Sequence, residues 1–100
     1  IPLRDALAGV EGVEAAAVYG SVAAGTDTGS SDIDLLIVGT PDDVPLHAVL
    51  SALEEEIGRT ISYTVLSRRE LRSRMQGKDP FLGRVLRGAL IRVIGVIRED

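Results

Sequence analysis

Apolar positions along this chain repeat with two periods, and the switches between them mark out the elements. Val13 to Tyr19 is an apolar run that stops at Gly20, as a strand ends at a turn. Asp32 to Val38 reads as a second strand, nearly continuous in apolar residues after Asp34 and therefore covered on both faces. Thr60 to Leu66 alternates and is rich in β-branched residues, a third strand. Leu90 to Ile97 predicts a last strand, interrupted by Gly95. Between these lie segments of helical spacing. Pro2 to Ala8 predicts a short helix with proline in its first turn and Gly9 after it. Pro45 to Ile57 carries Leu46, Val49, Leu50, Leu53 and Ile57 at three- and four-residue steps, and Gly58 closes it. Ser67, with Glu70 three positions on, is a capping-box start for a helix through Met75. Pro80 to Gly88 puts Phe81, Leu82, Val85 and Leu86 on one stripe of a further helix. Residues 21–31 are rich in Gly, Ser, Thr and Asp and predict a loop, with a helical turn at Ser21–Ala24. The order helix, strand, turn, strand, helix, strand, two helices, strand is that of an α/β domain with helices packed on a small sheet.

Composition narrows the class. One hundred residues with 45% apolar content and three aromatics (Tyr19, Tyr63, Phe81) make a single domain with an aliphatic core. There is no cysteine, so disulfides and thiolate metal sites are excluded, and a cytoplasmic location is expected. No apolar run approaches the ~20 residues of a membrane helix, so no membrane partner is expected. The first residue is Ile1, which leads us to expect a longer natural protein with a further domain upstream. Net charge is −4, unevenly spread: residues 1–56 hold eleven acids and one base, residues 57–100 ten bases and four acids. Such runs either are solvated faces of opposite sign or turn a basic face toward a polyanion or a partner.

The chemistry concentrates between Gly20 and Leu35. Side chains at i and i+2 of a strand share a face, so Asp32 and Asp34 stand together, roughly 6–7 Å apart at Cα. Two carboxylates at that spacing repel by about 2–3 kcal/mol at an effective dielectric near 20. A hard divalent cation held through oxygen is the natural compensation. The turn at Gly20-Ser21 offers backbone N–H groups and a hydroxyl that suit phosphate oxygens. Phosphate donors beside carboxylate-held magnesium describe a nucleotide site. The same residues also have a plain structural reading, in which Gly20 ends a strand, Ser21 caps a helix, and Asp32 and Asp34 are turn and strand-edge residues that deter aggregation. His47, the only histidine, falls near the start of a predicted helix away from the motif and reads as a surface residue, while Tyr19 and Tyr63 read as strand packing.

Val18-Tyr19-Gly20-Ser21 followed by Ser31-Asp32-Ile33-Asp34-Leu35-Leu36-Ile37-Val38 resembles the signature of the nucleotidyltransferases of the DNA polymerase beta superfamily, most of all their minimal members. The resemblance spans nearly the whole chain, and the combined motif is specific where either half alone is weak. It implies the nucleotidyltransferase fold with a small mixed sheet. It also implies magnesium on Asp32 and Asp34, and a nucleoside triphosphate, ATP first, cradled by Gly20 and Ser21. The implied reaction is in-line attack of an acceptor hydroxyl on the α-phosphorus with loss of pyrophosphate. Two positions depart from what active relatives carry. Ser62 stands where they have a third acid on the following strand, and Ala24 where many have Arg or Lys before the glycine. Gly58 to Thr64, Phe81-Leu82 and Ile94-Gly95 further resemble a subgroup fused behind a winged-helix DNA-binding domain, in which the third acid also tends to be missing. That likeness implies a ligand-sensing or partner-binding module in transcription regulation, with DNA contacted only through the upstream domain. A third reading makes the domain antitoxin-like, its basic helix at Arg68–Arg74 meeting an acidic protein partner.

Overall fold

The structure, a computed structural model, describes residues 2–29 and 31–97. Ser30, inside the spacer of the motif, and the terminal residues lie outside them. Its elements are α1 (Pro2–Ala8), β1 (Val13–Tyr19), α2 (Gly20–Ala24), β2 (Ile33–Gly39), α3 (Asp43–Ile57), β3 (Ile61–Leu66), α4 (Arg68–Gln76), α5 (Pro80–Arg87) and β4 (Ile91–Ile94). The four strands form one mixed sheet in the order β3-β2-β1-β4. β1 runs antiparallel to both of its neighbours, and β2 is parallel to β3.

Helices cover both faces, which is why the central strands lack a polar side. Leu35 and Ile37 of β2 face α1 and α3, packing with Leu7, Leu46, Leu50 and Leu53. Leu36 and Val38 point the other way, into a cluster with Leu71 of α4 and with Leu82 and Val85 of α5. Ala15, Ala16 and Ala17 of β1 are each 1% exposed or less, small residues that let both layers close on the strand. The two charge halves of the sequence thereby fall on opposite sides of the sheet. The acids of α3 lie on one layer, and the arginines of α4 and α5 on the other.

The elements match the sequence pattern with shifted ends. β2 begins at Ile33 rather than Asp32, because the first ladder contact pairs Ile33 with Ile61. β3 likewise starts at Ile61, one residue after Thr60. α3 starts at Asp43, two residues before Pro45, since a proline is tolerated in a first turn whose N–H groups have no helical acceptor. The last strand is four residues long instead of running on to Ile97. Gly95 adopts a positive φ of 62°, outside strand geometry, where the chain leaves the sheet, and a Cβ there would overlap the Glu14 carbonyl, so the position requires glycine. The capping box of α4 is complete, with Ser67 and Glu70 each bonding the other's backbone N–H at 3.0 Å.

Candidate active site

The turn from β1 into α2 meets the middle of the sheet edge at Asp34. Gly20 has φ 71°, a conformation that side-chain-bearing residues rarely adopt, and a Cβ on it would overlap Asp34 Oδ2. Glycine is thus required twice over at this position, by the turn and by the carboxylate pressed against it. Ser21 lies inside α2, whose N-cap is Tyr19, so the capping reading of Ser21 does not hold. Asp34 sits on the central strand, paired with Tyr19 of β1 and with Ser62 of β3. It is half-buried, whereas Asp32, one residue outside the ladder, is exposed. Among the described residues neither carboxylate has a hydrogen bond or ion pair, which leaves their oxygens open to a ligand.

Tyr19 shares the α4/α5 side of the sheet with Asp34. Burial, reinforced by the negative charge of Asp34, pushes its phenol above the ordinary 10.0, while the Thr64 hydroxyl works the other way. The phenol therefore stays protonated at neutral pH and can donate a hydrogen bond. Its ring meets Phe81 of α5 edge to face, with centroids 5.7 Å apart. Between the β1–α2 turn and α5 opens a cleft of about 550 Å³, lined by Tyr19, Gly20 and Ser21 on one side and by Phe81, Arg84 and Val85 on the other.

The loop joining α2 to β2 is tied down from the start of β3. Arg59 forms an ion pair with Asp27 at 2.8 Å, and it also donates to the Ser31 carbonyl, the residue before Asp32. Desolvation raises the Asp27 carboxyl, but hydrogen bonds from Arg59, Ser31 and the Gly29 N–H, with the Arg59 charge, outweigh it and hold the group below its ordinary 3.8. A depressed carboxylate binds fewer protons in the folded chain, so the clamp is at full strength above about pH 4 and is lost only as pH falls through the lower folded value. We expect Arg59→Met to lower the melting temperature by a few degrees at neutral pH, since it leaves Asp27 and the Ser31 carbonyl without this partner. Thermal melting checks this, and acidification from neutral pH to about pH 5 should leave the wild-type clamp intact.

The motif residues of the sequence therefore gather at one end of the sheet: Gly20 against Asp34, Ser21 next in the turn, and Asp32 exposed just before β2. Ser62, in the position implied for the third acid, stands beside Asp34 in register and is exposed. His47 is exposed on α3, within 3.3 Å of the Ser51 hydroxyl and 3.5 Å of the Tyr63 hydroxyl, away from the motif as expected. Tyr19 does more than pack a strand, since it lines the cleft. Arg84 and Phe81 carry no site signal in the sequence beyond the spacing of 81, 84, 85 and 88, which puts them on one face of α5. Arg68 departs from the picture of a free basic helix: it reaches the Val96 and Ile97 carbonyls and pairs with Glu14 at 3.4 Å.

The family model "Polymerase beta, Nucleotidyltransferase" matches residues 3–89. The chain belongs to this family. Among solved structures, one of a toxin-antitoxin with AMP-PNP matches this nucleotidyltransferase domain at 15% identity and a TM-score of 0.63, over 95% of this chain and 72% of that one. A second, of a mutant MntA-HpeT toxin-antitoxin, matches at 15% identity and a TM-score of 0.60, over 95% of this chain and 68% of that one. These likenesses establish the fold. No curated protein matches the sequence. No described helix is long and apolar enough to cross a membrane.

Whether the residues fit magnesium can be judged from the donor set. No group of three or more His, Asp, Glu or Cys side chains is placed to hold a metal among the described residues. An all-protein cage is therefore not what they offer. Two unengaged carboxylates, one of them against the Gly20 turn, do suit magnesium, which is commonly held by one or two carboxylates with substrate phosphates and water completing the shell.

Proposed function

We propose that the domain binds a nucleoside triphosphate with magnesium and transfers its nucleotidyl group to an acceptor hydroxyl. The observation that carries this is the contact of Gly20 with Asp34, which joins the turn suited to phosphates and the carboxylate suited to metal in one site. The AMP-PNP in a neighbour of the same fold supports an adenine nucleotide as the donor. The other neighbour was studied as a variant with two aspartates, two positions apart, changed to glutamate, the same spacing as Asp32 and Asp34.

Asp32 and Asp34 would hold the metal, which neutralises the triphosphate and lowers the pKa of the attacking hydroxyl. Gly20 lets the backbone come close to the phosphates, and Ser21 donates its hydroxyl to their non-bridging oxygens. Tyr19 and Phe81 give the cleft an aromatic residue on each of its two walls. The acceptor oxygen bonds to the α-phosphorus as the bond to the bridging oxygen breaks, and pyrophosphate leaves with that electron pair. Ser62 is a poor proton acceptor, so the acceptor's proton passes to water, and transfer is slow. The work of the chain is positioning and charge neutralisation. Its setting would be the cytoplasm, and its acceptor or partner a protein, as the toxin-antitoxin neighbours suggest.

The direct test supplies the triphosphate labelled at either the α- or the γ-phosphate, together with extract proteins from the native host. The expected result is magnesium-dependent labelling from the α-label only. Labelling from the γ-position would mean phosphoryl transfer and contradict the reading. A second reading is favoured by the register of Ser62 beside Asp34: the domain binds nucleotide and metal without turnover, as a sensing or partner-binding module of a regulator. Tight binding with no labelling would establish it.

A further inference from the structure

The cleft beside Gly20 and Ser21 is short of positive charge. A triphosphate there would bring several negative charges close to Asp34, which lies against Gly20 of the cleft wall, and one magnesium ion offsets only part of them. Ala24 lines the wall with a methyl group. Of the described residues that line the cleft, Arg84 is the one with a charge. It is exposed, and no ion pair or hydrogen bond engages its guanidinium among the described residues.

Of the other described arginines, three are engaged with partners, Arg68 at the opposite end of the sheet, and Arg92 of β4 lines a separate groove with Arg4. Arg59 holds Asp27, Arg68 holds Glu14 and the chain beyond β4, and Arg74 lies 3.8 Å from Asp79. Arg87, one turn along from Arg84, lies over Gly83, where a Cβ would come within 2.9 Å of its guanidinium, and it lines a separate groove between α4 and α5. Arg84 shares its helix face with Phe81, Val85 and Gly88, all of which line the same cleft. It also stands in the last turn of α5, where the helix dipole favours a cation.

Resting on the nucleotide reading of this cleft, we propose that Arg84 is the side chain that binds the terminal phosphates of the triphosphate, gripping them from α5 opposite the Gly20-Ser21 turn. A guanidinium offers two parallel N–H donors to a phosphate, a geometry that an ammonium cannot reproduce. The arginine thus supplies the positive charge that the wall at Ala24 lacks, and it acts as a binding residue rather than a proton carrier.

The test titrates wild type, Arg84→Ala, Arg84→Lys and Arg87→Ala with magnesium tripolyphosphate and with magnesium ATP. Arg84→Ala is expected to weaken both by about tenfold or more, the usual cost of losing a hydrogen-bonded charge. Arg84→Lys should recover part of the loss, and Arg87→Ala should stay within about twofold of wild type on the same scale. Thermal melting identifies any variant that fails to fold, and because Arg84 is exposed all four proteins should melt alike. Unchanged tripolyphosphate affinity in Arg84→Ala overturns the proposal, as does an equal loss in Arg87→Ala or a wild type that does not bind tripolyphosphate. If tripolyphosphate binding depends on Arg84 while no nucleotide is transferred, the transferase reading fails and the phosphate contact stands.

Discussion

Asp34→Asn is expected to remove magnesium-dependent nucleotide binding and to cut transfer by about 10²–10³-fold, the range seen when a preorganised charge is taken from a reacting centre. The size of asparagine matters to this expectation. Gly20 packs against Asp34 so closely that the site has no room for a larger group, and asparagine is nearly isosteric with aspartate. The variant should therefore fold and melt close to wild type while losing only the charge. Gly20→Ala makes the informative comparison, since its Cβ would overlap the carboxylate and its φ of 71° disfavours alanine. It should lose both stability and binding. Melting curves and titrations of the two variants separate a lost charge from a displaced one, and a fully active Asp34→Asn would place the chemistry elsewhere.

Ser62→Asp should work in the opposite direction. Ser62 pairs with Asp34 in the β2–β3 register, and neighbouring strands in parallel register turn their side chains to the same side. An aspartate there would stand about 5 Å from Asp34 and could accept the proton of the acceptor hydroxyl. General-base assistance typically contributes about 10²–10⁴-fold, so label transfer should rise by that order. Without metal, two carboxylates at that spacing repel by up to about 3 kcal/mol before solvent screening, and Ser62 is exposed. The variant should therefore melt below wild type in a chelator and recover when magnesium is added. A rate that stays flat while magnesium still rescues stability would mean that proton removal does not limit transfer, and would favour the binding-only reading.

The buried run Leu35 to Val38 announced a strand covered on both faces, and it is 0% exposed throughout. Ser67 and Glu70 announced a cap that is present with both bonds. These signals are local, carried by neighbours a few residues apart. Gly95 marked an interruption of the last strand, but that the strand ends there was not legible, and the close approach of the Glu14 carbonyl that requires a glycine comes from 81 positions away along the chain. The site divides in the same way. Gly20, Ser21, Asp32 and Asp34 lie within one short stretch and could be read as a unit. Arg84 and Phe81 reach the cleft only because α5 packs across the sheet from that stretch. A basic residue in an amphipathic helix carries no mark that separates it from a solvated one, so Arg84 could not be picked out before the fold was known.

In the proposed function, the turn at Gly20-Ser21 and the carboxylate of Asp34 form one nucleotide–metal site. Calorimetric titration of the wild-type chain with ATP, GTP, CTP and UTP, each with magnesium and with a chelator, tests it most directly. Saturable binding of at least one nucleotide that requires magnesium, and that disappears in Asp34→Asn, is the predicted result. Binding of none of the four, or binding that is indifferent to both magnesium and Asp34→Asn, would contradict the account.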